Sequence, residues 1–270
     1  MVWSFGQVLG TDADIERKAV SLGLNYSEKD KVDAKLRAEI RLDDSAATED
    51  DITSFLIAGA IGYKAKPSWR VVADFNAVLS QDGGANFRDG DYVKASIGAA
   101  YRPVENDRFN ALFKYTYLYD LPATDQVTET SNRNGPRQRS HVLSADGIWQ
   151  VNNYVQLGAK YGMRFGEVEV SPDGIAPARG SGVWQRSDAQ LGILRADIHL
   201  LRNWDALLEG RALWSSSAQT INWGAVVAGY RQIGDNMKLG VGYNFGRFSD
   251  DLLDQTFDDQ GVFLNVVGKF

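Results

Sequence analysis

The chain has 270 residues, 44% of them apolar and 24% charged, with 27 Gly, 6 Pro and no Cys. That apolar fraction excludes wholesale disorder, and the lack of cysteine excludes a disulfide framework or a thiolate metal site. A net charge of -6 denies the chain the basic surface that displaces counterions from phosphates, so nucleic acid is not an expected partner.

Mean hydropathy is -0.30. The longest apolar run, Phe55 to Tyr63, is far shorter than the ~18–20 residues of a membrane helix. A strand that crosses a bilayer alternates lipid-facing and lumen-facing residues and averages to near-neutral hydropathy, so the period decides where the mean cannot. The opening Met1-Val2-Trp3-Ser4-Phe5-Gly6 has neither the basic nor the apolar region of a signal peptide. The expectation is a mature form, or a domain of something longer.

In chain order, a period of two recurs throughout. Val32, Ala34, Leu36, Ala38, Ile40 and Leu42 alternate with Asp33, Lys35, Arg37, Glu39, Arg41 and Asp43, which is a strand with one apolar and one charged face. Trp69, Val71, Ala73, Phe75, Ala77 and Leu79 oppose Arg70, Asp74 and Asn76, and Ala111, Phe113, Tyr115 and Tyr117 oppose Asn110, Lys114 and Thr116. Val155 to Phe165 and Met237 to Phe245 repeat the pattern. Strands are predicted at 2–9, 15–26, 31–43, 52–64, 69–80, 91–102, 108–120, 140–151, 154–166, 187–200, 204–214, 220–231, 237–246 and 261–270, about fourteen in all. Many match the ~9–11 residues needed to cross a bilayer at a tilt.

Connections near 27–30, 65–68, 103–107, 152–153, 201–203 and 232–236 are tight, and those near 81–90, 121–139, 167–186 and 247–260 are long. Short turns at one end and long loops at the other is the outer-membrane arrangement. Aromatic residues fall at both strand ends: Tyr26, Trp69, Tyr101, Phe109, Trp149, Tyr154, Trp204, Tyr230 and Phe270 beside the tight turns, and Tyr119, Phe165, Trp214, Trp223 and Phe245 opposite. Two such rings are what two headgroup interfaces select.

The polar faces are expected to place Lys35, Arg37, Arg41, Arg70, Lys94, Lys114, Lys160, Arg164, Arg195, Arg211 and Arg231 in the lumen, with Lys238 and Lys269. Facing them are Asp33, Glu39, Asp74, Asp146, Asp197, Asp205 and Glu209. The interior is basic although the chain is acidic. Such a wall either concentrates anions in an open lumen or pairs with its carboxylates into a network that closes it.

Loop carboxylates at Asp250, Asp251, Asp254, Asp258 and Asp259 match no calcium-loop template, so they read as a solvated loop; no metal and no cofactor are expected. The two histidines are His141 and His199. His199 shares a face with Asp197, a genuine element of general-base chemistry, but no serine accompanies it and no catalytic residue is expected. Gly240-Val241-Gly242 falls mid-strand and is no phosphate loop.

The last residues, Gly261-Val262-Phe263-Leu264-Asn265-Val266-Val267-Gly268-Lys269-Phe270, set Val262, Leu264, Val266 and Gly268 on the face of the final Phe270. This resembles the C-terminal signal strand of Gram-negative outer-membrane β-barrels, which the barrel-assembly machinery reads. The stretch from Val241 to Phe270 also resembles the ending of barrel domains at the C-terminus of large bacterial surface proteins. The expected fold is therefore all-β: one transmembrane, antiparallel up-and-down β-barrel over 1–270, with short periplasmic turns, long extracellular loops and both termini periplasmic. Its surroundings would be outer-membrane lipid and lipopolysaccharide. The expected function is a passive polar pore, weakly anion-preferring, for small solutes or ions. The alternative is a closed C-terminal anchoring or translocator barrel of a larger surface protein; a soluble β-barrel binding module would instead fold without detergent.

Overall fold

The computed structural model describes residues 2–12, 15–45, 51–82, 92–106, 108–120, 137–170, 182–201, 203–234, 237–246, 252 and 260–268. Strands β1 (Val2–Asp12), β2 (Ile15–Glu28), β3 (Val32–Ser45), β4 (Asp51–Lys66), β5 (Trp69–Asp82), β6 (Tyr92–Tyr101), β7 (Phe109–Asp120) and β8 (Gln138–Gln150) are followed by β9 (Val155–Val170), β10 (Val183–Arg186), β11 (Ala189–Leu201), β12 (Trp204–Ser215), β13 (Thr220–Ile233), β14 (Met237–Asn244) and β15 (Gly261–Gly268). Each strand is hydrogen-bonded to its sequence neighbour in one meander, except that β10 pairs only with β9 and β9 continues to β11. Every strand expected from the two-residue period is present. The addition is β10, which lies inside the expected long loop at 167–186 and pairs Val183–Arg186 with Glu167–Val170.

The tight turns expected at 27–30, 65–68 and 152–153 form there. Between β2 and β3, Asp30 takes a φ of 59°, and Lys31 N donates to Glu28 O at 3.1 Å; the short polar Asp side chain tolerates that left-handed conformation. At the opposite end the sorting is less clean than the sequence reading held. Residues 216–219, joining β12 to β13, are as short as a tight turn.

The described residues fall into two compact units, one from Met1–Ala99, Tyr115–His141 and Gly166–Arg186, the other from Ala100–Lys114, Val142–Phe165 and Ser187–Phe270. In the first, register sets Ile40 opposite Phe55 and Phe55 opposite Leu79, and Leu36 opposite Gly59 and Gly59 opposite Phe75. One face is thereby apolar across three strands, and its Ile40, Phe55, Ile57, Ile61 and Phe75 are exposed. A sheet face this apolar and this open to its surroundings is a lipid-facing one. In the second unit Leu194, Leu208, Val227 and Val241 do the same.

The buried core lies on the opposite face of the second unit. Val142, Ala189, Leu191, Ile193 and Leu252 form one cluster, with Leu213 against it; Leu207, Val226 and Ala228 form another, with Tyr230 and Phe263 against it. No helix among the described residues is long and apolar enough to cross a membrane.

Candidate functional site

The polar face collects the charges that the period assigned to it. In the first unit, register aligns Lys35, Ala60 and Asp74, then Arg37, Ala58 and Asn76, then Arg41, Ser54 and Ser80. Arg37 Nη2 is 2.5 Å from Glu39 Oε2, a partner two residues along the same strand face. Arg70 on β5 donates from Nη2 to Asp33 Oδ2 on β3 at 2.8 Å, reaching over β4 at Gly62. A Cβ at Gly62 would stand 2.6 Å from that same nitrogen, so the missing side chain is what lets the guanidinium lie across the ladder. Lys94 shares its strand face with Ser96, whose hydroxyl accepts from Thr116 at 3.1 Å.

In the second unit, Lys160, Ile193 and Arg211 align across β9, β11 and β12, and Arg195 stands between Gly158 and Glu209. Arg195 chelates Asp197 with Nε and Nη2, both at 2.8 Å. Arg211 Nε is 2.5 Å from Glu209 Oε1. Lys114 stands on the β7 face opposite Phe113 and Tyr115. Arg164 is 1% exposed, and its Nη1 points at Leu252 O at 3.5 Å.

Of the thirteen cations expected in the lumen, Lys269 lies outside the described residues and eleven, Lys238 included, stand on the polar face. Arg231 does not. It pairs in register with Trp204 and Leu239 and alternates with Tyr230, and its guanidinium carbon lies 5.5 Å from the Trp204 ring centroid. The β13 alternation puts Ile221, Trp223, Val227 and Arg231 together, a long snorkelling cation at the end of an apolar face. Two aromatics of the turn-side ring move the other way: Tyr230 packs on the buried Leu207 cluster, and Tyr154 stacks on His199 with centroids 6.4 Å apart.

His199 also takes a different carboxylate from the one expected. Its Nδ1 lies 2.6 Å from Asp205 Oδ1, while Asp197 is held by Arg195. Directly opposed residues on antiparallel neighbours are ~4.5–5.5 Å apart, closer than the ~6.7 Å between positions i and i+2 of one strand. His199 and Asp205 are such a pair. Lys238 Nζ takes the other Asp205 oxygen at 2.5 Å.

The apolar residues on this face were not anticipated. Leu191 and Ile193 share the alternation of Arg195 and Asp197, and the signal for them was the unbroken apolar run Leu191 to Leu194, which marks a strand covered on both sides. Their cover includes Leu252, 5% exposed, whose Cδ1 would be 2.9 Å from a Cβ at Gly162. The acidic positions around it, Asp250, Asp251, Asp254, Asp258 and Asp259, lie outside the described residues, as do Lys269 and Phe270. Val262, Leu264, Val266 and Gly268 oppose Tyr243, Val241, Leu239 and Met237 on the apolar face of β14 and β15.

No family model and no curated protein matches the sequence. Solved structures do match the fold. The siderophore receptor PirA from Pseudomonas aeruginosa superposes with a TM-score of 0.60 at 10% identity, over 90% of this chain and 44% of that one. A mutant of the ferric enterobactin receptor PfeA from the same organism gives 0.61 at 10%, over 90% and 43%. PirA from Acinetobacter baumannii gives 0.59 at 10%, over 90% and 42%. The chain therefore spans less than half the length of these receptors. The fold is that of a transmembrane, antiparallel up-and-down β-barrel of about fourteen strands.

Proposed function

We propose that the chain is an integral barrel of the Gram-negative outer membrane whose polar face lines a passive, weakly anion-preferring pore for small solutes or ions. The supporting observation is the sign of the charge on that face. In the first unit Lys35, Arg37, Arg41, Lys64, Arg70 and Lys94 outnumber Asp33, Glu39 and Asp74; in the second Lys114, Lys160, Arg164, Arg195, Arg211 and Lys238 outnumber Asp146, Asp197, Asp205 and Glu209. Ion pairing cancels equal numbers and leaves a positive wall, which raises the local concentration of anions. The tight turns, with both termini on their side, are assigned to the periplasm and the long loops to the exterior. The strand face of Val262, Leu264 and Val266 serves as the assembly signal. The matched receptors share the sheet at 10% identity, a likeness that carries the fold and not the cargo.

A second reading is favoured by one observation: Leu252 is buried against Leu191 and Ile193 on the polar face, and residues that cover the inner wall narrow the lumen. On this reading the barrel is a closed anchor of a larger surface protein. Conductance of the detergent-purified barrel in a planar bilayer under a salt gradient separates the two. Stable steps with an anion-selective reversal potential are expected. Cation selectivity overturns the pore assignment, and silence from folded, inserted protein selects the anchor.

A further inference from the structure

Histidine is the side chain whose ordinary change of charge falls between pH 5 and 8, and the polar face of the second unit holds one that the charge count above leaves out. His199 stands on β11 beside the tight turn to β12. Its Nδ1 lies 2.6 Å from Asp205 Oδ1. An ionised carboxylate only accepts, so Nδ1 carries the hydrogen and donates it, and in the neutral ring the lone pair is then on Nε2. The side chain is 41% exposed, so water reaches the ring. A proton is therefore gained at Nε2 without breaking the bond to Asp205.

The groups around the ring fix the sign of the effect. On β11, Asp197 shares the face of His199, and Arg195 holds both of its oxygens at 2.8 Å. On β12, Asp205 is directly opposite His199, and Glu209, further along that face, pairs with Arg211. At the start of β9, the Tyr154 ring stacks on the imidazole, and its backbone oxygen accepts from His199 N at 2.7 Å. On β13, Tyr230 stands opposite Asp205. From β14, Lys238 holds the second Asp205 oxygen at 2.5 Å, its Nζ 4.9 Å from the Tyr230 ring centroid. Asp197, Asp205 and Glu209 thus meet Arg195, Arg211 and Lys238. Counted over these described residues, the cluster is neutral while His199 is neutral and positive once His199 is protonated. Carboxylates, tyrosines, lysines and arginines ordinarily change charge outside the window in which histidine does.

We infer that His199 makes the selectivity of the pore depend on pH: a proton taken up at Nε2 places a positive charge on the polar wall beside the tight turn and strengthens the preference for anions in acid. The inference rests on the pore reading proposed above. The charge is screened over about 8–10 Å at physiological salt, so it acts on ions at the turn-side mouth and not along the whole lumen. Every ion that traverses the lumen passes that mouth.

The test reads the reversal potential of the detergent-purified full chain in a planar bilayer under a potassium chloride gradient, at about pH 8.5 and about pH 5.5, on either side of the ordinary histidine range. The wild-type anion-to-cation permeability ratio is expected to rise about twofold on acidification, the scale of one screened charge close to a passing ion. His199→Gln keeps a polar side chain that does not titrate and should lose the rise. His199→Lys carries its charge throughout and should give the higher ratio at both pH values. His141→Gln is the control: His141 is bonded to Tyr115 on the apolar face of β7 at 2.8 Å, and its loss should leave the rise intact. Heat-modifiable mobility on gels shows which variants are folded, and if His199→Gln is not, His199→Lys decides alone. A constant ratio in conducting wild-type channels overturns the inference, and so does a rise that persists in either His199 variant. Silence at both pH values from folded, inserted wild type sinks the pore reading instead.

Discussion

His199 Nδ1 and Asp205 Oδ1 lie 2.6 Å apart across the β11–β12 ladder, and Lys238 Nζ holds the second oxygen of the same carboxylate at 2.5 Å. One anion therefore balances two basic groups from different strands. Replacing Asp205 by Asn keeps the shape and removes that balance, leaving Lys238 uncompensated on the polar face. The anion-to-cation permeability ratio should rise about twofold, the scale set by one screened charge a few ångströms from a passing ion. A salt-gradient reversal potential reads this directly, and an unchanged ratio would mean the triad lies outside the conduction path.

Leu252 offers a test of what narrows the lumen. Its side chain occupies the space that Gly162 leaves open, so Gly162→Val should displace it by crowding and Leu252→Ala should loosen it by lost burial, a loss of about 2 kcal/mol or more for a buried leucine. Both variants are expected to raise single-channel conductance above wild type. If both conduct as wild type does, the Leu252 contact does not control the open area.

The strands were legible because a half-buried strand repeats every two residues, and β3 repeats without a fault from Val32 to Asp43. Face assignment then followed by parity wherever the polar side carried charges. It failed at Arg231, where a long cation ends the apolar face beside Trp204, because parity counted from charge mistakes a snorkelling side chain for an inward one. The cover over Leu191 and Ile193 was not legible either. Leu252 is remote from both in sequence, and no local pattern encodes a contact of that range. Strand β10 stayed hidden because four residues are too few to establish a period; what pins it is cross-strand pairing of Trp184 and Arg186 with Glu169 and Glu167.

The Arg231 placement has its own measurable consequence. Arg231→Ala removes a cation from the Trp204 side of the wall and should leave the reversal potential at its wild-type value. Lys94→Ala and Lys114→Ala each remove one from the polar face and should lower anion preference by about the factor that Asp205→Asn raises it. The contrast holds even if absolute selectivity is small. A shift on Arg231→Ala equal to that on Lys114→Ala would return Arg231 to the lumen.

The two faces of β4 can be set against each other at adjacent positions. Ile57 is exposed on the apolar face between Ala38 and Ala77, whereas Ala58 stands on the polar face between Arg37 and Asn76. A lysine at position 57 puts an ammonium into hydrocarbon and should cost about 2–4 kcal/mol if the residue lies near the bilayer midplane. A lysine at 58 meets water and the Asn76 amide and should cost less than about 1 kcal/mol, chiefly through repulsion from Arg37. Urea unfolding of Ile57→Lys and Ala58→Lys in lipid vesicles measures both. Equal losses would mean that the two faces see the same solvent, and the chain would then be a water-soluble sheet with an apolar surface awaiting some other partner. The predicted inequality, with Ile57→Lys the worse, requires lipid on one side and water on the other.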